Sequence, residues 1–250
     1  MIQDLHSHTY YSFCGQDVPE AVVEAAMAGG VQLLGITDHC HGVGFCRKDA
    51  RRAPEDIIPN VYGEYTLRRY FDHINLIREK YADRIRILRG IEIATVTEPK
   101  KYALPEGEDI SFFDYCLIEH LDQPEKSIAR GDLFAFAQRC GCPTVGVAHT
   151  DLFAFIKTLG EDPSAYFRRM AERNIFWELN VNRDSTHHYR EHAYVKRFFE
   201  SEEQQDIVRR AGVRLSVGFD GHKAEEYDAC RVVDACRRLT DLEIKMAFEE

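Results

Sequence analysis

Short apolar runs alternate along the chain with longer segments in which apolar residues recur at helical spacing, a rhythm that predicts strands and helices in turn. A brief first strand carries residues 4–8, and residues 31–37, 85–93, 114–118, 143–148, 175–181 and 213–219 read as buried strands. Between them, residues 19–28 read as a helix with Pro19 in its first turn and Gly29-Gly30 as its stop. Tyr65, Leu67, Tyr70, Phe71, Ile74, Ile77 and Tyr81 give residues 61–81 a helical face, and further helices are predicted around 128–140, 163–173 and 192–211. Residues 40–60, with Gly42, Gly44, Pro54 and Pro59, read as a long loop of the kind that serves as a lid or binding loop. Strands this continuously apolar imply parallel pairing with both sheet faces covered. Seven such units close most simply into a barrel.

In a barrel of this kind the strand-to-helix loops at the C-terminal strand ends build the active site. His6, His8, His39, Glu92, His120, His149, Asp220 and His222 all fall at or just beyond those ends, which gathers six of the eleven histidines on one rim. Alternation along a strand puts His6 and His8 on the same face. The other histidines, His41, His73, His187, His188 and His192, fall in loops or helices and receive no role. Nitrogen and oxygen donors with two carboxylates suit Zn, Mn or Fe ions that keep open positions. Eight donors exceed what one tetrahedral ion takes, and suffice for two or three ions if a carboxylate bridges. Three divalent ions against Glu92 and Asp220 would leave a charge of about +4, so an anionic ester is the natural guest.

Composition narrows this picture without redirecting it. The chain has 250 residues, 44% of them apolar and 30% charged, which fits a single barrel domain over 1–250. A net charge of -10 argues against an extended nucleic-acid surface but not against a small phosphorylated substrate. No apolar run approaches the roughly 18 residues a membrane span needs, and the start MIQDLHSH lacks signal-peptide character, so a cytoplasmic protein without membrane partners is expected. The eight scattered cysteines are then expected as free thiols.

The series HSH at 6–8, TDH at 37–39, GIE at 90–92, His120, AHTD at 148–151 and GFDGH at 218–222 resembles, in order and across nearly the whole chain, the PHP (polymerase and histidinol phosphatase) family of metal-dependent phosphoesterases. The resemblance implies an α/β fold, a distorted (β/α)7 TIM-like barrel with a trinuclear metal site. In it His6, His8, Glu92 and Asp220 would hold one ion, Glu92 would bridge to a second held by His120 and His149, and His39 with His222 would hold a third. Glu92, Asp220 and His222 would form the catalytic centre, with Asp38 and Asp151 orienting imidazoles. The family's further His or Asp ligand of the third ion falls on Cys14 here, with Asp17 as the alternative.

Within the family, His149-Thr150-Asp151-Leu152 and Trp177-Glu178-Leu179-Asn180 are most similar to the histidinol-phosphatase branch, and the loop that follows offers Arg183 to phosphate. Arg47, Lys48, Arg51 and Arg52 are a further basic set on the predicted lid. The expected reaction is hydrolysis of L-histidinol phosphate to L-histidinol and phosphate, a step of histidine biosynthesis. Two rivals stand beside it: a phosphoesterase for a nucleotide or short oligonucleotide, and a non-catalytic metal-binding module.

Overall fold

The computed structural model describes residues 1–40, 43, 63–96, 104, 107–123 and 125–249. His41 and the basic set Arg47, Lys48, Arg51 and Arg52 lie outside the described residues. Seven strands, β1 (Gln3–Asp4), β2 (Leu33–Ile36), β3 (Arg86–Ala94), β4 (Tyr115–Glu119), β5 (Val145–Val147), β6 (Ile175–Asn180) and β7 (Leu215–Gly218), pair in chain order, each neighbouring pair parallel. The ring is brought round where Leu5 N donates to Val217 O at 2.9 Å and Asp220 N donates to His6 O at 2.7 Å. The fold is thus an α/β, (β/α)7 TIM-like barrel, as the strand pattern predicts.

The helices are α1 (Pro19–Ala28), α2 (Gly63–Lys80), α3 (Leu133–Cys140), α4 (Leu152–Thr158), α5 (Pro163–Glu172), α6 (Ala193–Glu200), α7 (Glu202–Ala211) and α8 (Ala229–Asp241). The predicted helix 192–211 is two helices, because Ser201 is extended (φ -109°, ψ 101°) and its side chain accepts from Gln204 N at 3.3 Å, capping α7. The sequence reading did not resolve α4 or α8. Among the described residues, no helix is long and apolar enough to cross a membrane.

Packing inside the barrel decides where the polar site can form. Leu5, Leu33, Leu88, Tyr115, Leu117, Ala148, Phe176 and Ala247 make an apolar cluster there, and Tyr115 Oη donates to Leu5 O at 2.6 Å. Gly35 and Gly90 give the Tyr115 ring its space: a Cβ at Gly35 would stand 1.8 Å from Tyr115 Oη, and one at Gly90 2.7 Å from Tyr115 Cζ. The floor is closed by the C-terminal segment. Leu215 N donates to Lys245 O at 3.0 Å, Ala247 N donates to Leu215 O at 2.7 Å, and the Phe248 ring lies 5.5 Å from that of Tyr115. With the lower barrel filled by aromatic side chains, the inward positions one layer up, Glu92, Glu119 and Glu178, are left to line its mouth.

Candidate metal centre and cleft

The expected strand over residues 4–8 is shorter, β1 ending at Asp4. The chain nevertheless runs on through the isolated bridge Ser7↔Gly221 and sets His6 and His8 on one face with their Nε2 atoms 3.1 Å apart. Around this pair, Glu92 Oε1 lies 3.3 Å from His6 Nε2, Glu92 Oε2 3.4 Å from His8 Nε2, and Asp220 Oδ1 3.0 Å from His8 Nε2. Two ring nitrogens and two carboxylates therefore face one point. All four side chains are buried.

The opposite nitrogen of each ring is held by an acceptor that fixes its tautomer. His6 Nδ1 meets Glu178 Oε1 at 2.7 Å; Gly218 makes this possible, since a Cβ there would stand 2.0 Å from that oxygen. His8 Nδ1 meets Ser12 Oγ at 3.2 Å, and Ser12 Oγ donates to Asp38 Oδ1 at 2.6 Å. The hydroxyl proton thus lies toward Asp38, and Nδ1–H of His8 is the donor to Ser12. His222 Nδ1 meets Asp184 Oδ2 at 3.2 Å. A carboxylate-backed Nδ1–H leaves the Nε2 lone pair free for a cation, the usual support of a metal-ligating histidine.

A second group adjoins the first. Glu92 reaches His149 Nε2 at 3.2 Å through Oε1 and His39 Nδ1 at 2.8 Å through Oε2. Glu119 lies opposite, 2.9 Å from His120 Nε2 and 3.5 Å from His39 Nδ1. His120, His149 and Asp220 all have positive φ, at 61°, 26° and 55°. Such left-handed backbone costs energy and gathers at functional sites. Here it turns side chains at the ends of β4, β5 and β7 toward the cleft.

Burial alone would raise the pKa of Glu92 and Asp220, but His6, His39 and His149 beside Glu92, and His6, His8 and His222 beside Asp220, hold both carboxyls well below their ordinary range. Reciprocally, burial would lower His149 and His222, yet Glu92 lifts His149 to about 9, and Asp184 with Cys14 lifts His222 to about 10. His8 goes the other way, to about 3, through burial and the neighbouring His39. Without cations the cluster balances its carboxylates by taking up protons. Divalent ions would do the same work, and the donor set fits them: Glu92 Oε2 and Glu119 Oε1 are buried against histidine rings, with ion-pair contacts but no aligned hydrogen bond among the described residues.

Cys14 stands in the third group, where its sulfur, a nitrogen of His8 and one of His39 lie within 4.8 Å of one another. Burial pushes its thiol up, but His39 and His222 outweigh this and bring it down to about 7. Asp17 is engaged elsewhere, accepting from Ala224 N at 2.8 Å. Asp38 orients His8 only through Ser12, and it also accepts from Thr9 N and Thr9 Oγ1, each at 2.7 Å. Asp151 departs from the expected role: it caps α4 by accepting from Ala154 N at 3.1 Å and pairs with Arg197.

These groups open into a cleft of about 660 Å³. Arg183 is exposed and is not among the residues lining it, whereas Arg190 and Arg197 are. His187 and His192, given no role from the sequence, line it too. His187 Nδ1 meets Asp184 Oδ1 at 3.0 Å, and its Nε2 lies 3.7 Å from Asp220 Oδ2. Asp184, Glu119 and Glu178 are also functional candidates that sequence reasoning passed over. Glu119 and Glu178 carried a signal, since each sits on the inward register of its strand; Asp184 and His187 lie in a loop with no periodicity to read.

Comparison with known proteins gives the family and the fold. Residues 4–228 match the PHP domain. No curated protein gives a significant match. The crystal structure of histidinol phosphate phosphatase from Lactococcus lactis subsp. lactis Il1403, complexed with Zn, L-histidinol and phosphate, superposes with a TM-score of 0.57 at 17% identity, over 98% of this chain and 94% of that one. A structure from work on YwqE of Bacillus subtilis and CpsB of Streptococcus pneumoniae, metal-dependent tyrosine phosphatases, gives 0.46 at 15% identity over 99% and 97%. The first establishes a common fold and nothing finer; the second is too distant to argue from.

Proposed function

This chain belongs to the PHP domain family of metal-dependent phosphoesterases, and on that premise we propose that its cleft hydrolyses a small phosphomonoester, L-histidinol phosphate, to L-histidinol and phosphate. The observation that carries the reading is the meeting of His6 Nε2, His8 Nε2, Glu92 and Asp220 within 3.6 Å contacts at the base of the cleft. Its volume of about 660 Å³ lies in the range that takes a small molecule.

In this reading His6, His8, Glu92 and Asp220 would hold one cation, His120 and His149 with Glu92 a second, and His39, His222 and Cys14 a third. Zn, Mn or Fe ions, two or three in number, would polarise the phosphoryl group, acidify water and offset charge on the attacking and leaving oxygens. Glu178, the Ser12–Asp38 pair and Asp184 keep the Nδ1 protons of His6, His8 and His222 in place, so that the Nε2 lone pairs point inward. Arg197 is neutralised by Asp151. Arg190, on the same rim, is the guanidinium that donates to phosphoryl oxygen, in the place expected of Arg183.

The test is a panel of L-histidinol phosphate, nucleoside monophosphates, a dinucleotide and a phosphotyrosine peptide, run on protein stripped of metal and reloaded with Zn or Mn. L-Histidinol phosphate should give the highest kcat/KM, lost on chelation and restored on reloading. Preference for another ester would correct the substrate, activity without metal would reject the metal centre, and metal binding without turnover of any ester would make this a binding module.

A further inference from the structure

Glu119 is the last residue of β4, buried at the mouth of the barrel. Its two oxygens point different ways: Oε1 lies 3.5 Å from His39 Nδ1, while Oε2 lies 2.9 Å from His120 Nε2 and 3.9 Å from His149 Nε2. Glu92 sits across from it in the same arrangement, Oε2 toward His39 and Oε1 toward His149. We propose that Glu119 is a metal ligand whose carboxylate spans the ion on His39 and the ion on His120 and His149, facing Glu92 across that pair. The assignment rests on the cluster being a metal centre, as proposed above.

Three observations carry it. Zn–N and Zn–O bonds of about 2.0–2.2 Å put neighbouring donors of one shell roughly 3 to 3.5 Å apart. Most of the separations around Glu119 and Glu92 fall near that range, and one atom of each of His39, Glu92 and Glu119 lies within 4.8 Å of the others. Hydrogen bonding accounts for only one side of the placement: Oε2 meets His120 Nε2, whereas Oε1 is buried 3.5 Å from His39 Nδ1 with no aligned hydrogen bond among the described residues. A buried carboxylate oxygen in that state is costly unless a cation meets it. A third carboxylate would lower the charge of a three-ion site by about one. It would also favour oxygen-preferring Mn or Fe over Zn relative to the same site without it.

Glu119→Gln keeps the size and one acceptor but removes the charge and the second ligating oxygen. Metal content, chelator competition with Zn and Mn, and the visible spectrum of the Co(II)-loaded protein should be compared with wild type, with the melting temperature of both metal-free proteins as the folding control. The variant is expected to lose about one ion or to bind it at least ~10-fold more weakly, the scale on which even outer-shell partners act. Its Co(II) bands should intensify as the coordination number falls. Should Glu119→Gln fail to fold, Glu119→Asp serves: it keeps the charge but is one methylene too short to span both positions, and should show the same loss. Unchanged stoichiometry, affinity and spectrum would overturn the assignment and leave Glu119 as an acceptor for His120. Wild-type protein that binds no divalent ion would overturn it together with the metal centre itself, so the two failures are told apart.

Discussion

An imidazole can hold a cation only through the nitrogen that lacks a proton, so the acceptors behind His6, His8 and His222 matter as much as the rings. Strand alternation makes the pairing of His6 with His8 legible in sequence, because residues two apart share a face. The same rule hides the joint role of Glu119 and His120, since adjacent residues should point apart; the positive φ of 61° at His120 is what brings both to the cleft. No periodicity reports a left-handed residue at a strand end. Arg183 is a similar case: the loop was rightly placed, but which of its arginines faces the cleft depends on the turn that follows. Arg190→Ala should therefore lower kcat/KM about ten- to a hundred-fold, with metal content intact, the scale of a lost charge-assisted bond. Arg183→Ala should leave kcat/KM unchanged, and the reverse pattern would restore the sequence reading. Cys14 offers a second check at this scale. In metal-free protein its alkylation by iodoacetamide should rise with a midpoint near pH 7, because His39 and His222 stabilise the thiolate against burial. Metal should protect it. Equal labelling with and without metal would remove Cys14 from the third site.

At the scale of elements, local signals were readable where a helix announces its own ends. Pro19 and Gly29 bracket α1 as expected. The break at Ser201 has no signature in the sequence, because the apolar spacing runs on through both α6 and α7, and only the cap bond from Gln204 N shows that one ends where the other begins. Asp151 reads in sequence as an imidazole partner, yet the same position equally suits an N-cap, and the cap is what forms. Between strands, the register Gly90↔Tyr115 sets Arg89 beside Asp114, where Arg89 N, Nε and Nη2 donate to the carboxylate at 2.8, 3.1 and 2.7 Å. Burial would raise the Asp114 pKa, but Arg89 outweighs it and the pKa falls below its ordinary value. A carboxyl depressed by folding stabilises the protein above the unfolded pKa and loses that contribution as pH falls through the folded one. Asp114→Asn should thus cost about 1.5–3 kcal/mol in urea denaturation at pH 7, with the gap to wild type closing in acid. A gap that stays constant with pH would assign the cost to packing rather than charge.

For the whole molecule, seven apolar strands alternating with helices were enough to foresee a barrel and the end at which its chemistry sits. How its mouth balances so many buried charges was not, because that depends on distances no pattern encodes. In metal-free protein His149 and His222 are raised to about 9 and 10. Groups raised on folding stabilise fully below their unfolded pKa, about 6.5, and lose that contribution as pH climbs through the folded values. The metal-free protein should therefore melt progressively lower from about pH 7 to 10, while the metal-loaded form, whose rings have already given up their protons, should change less. A matching loss in both forms would show that the histidines are not responsible. The closed floor of the barrel has a different consequence. The amino group of Met1 lies 3.7 Å from Glu249 Oε1, and Gln3 Nε2 donates to Ala247 O at 2.9 Å, so both ends of the described chain meet beneath the sheet, at the pole opposite the cleft. The backbone is nearly a loop already. A short Gly-Ser bridge across that seam, with new ends opened at the exposed Gly160 turn, would give a circular permutant whose strands keep their neighbours and whose mouth is untouched. Tethering the molecule to a surface through residues beside this seam would leave that mouth facing solution.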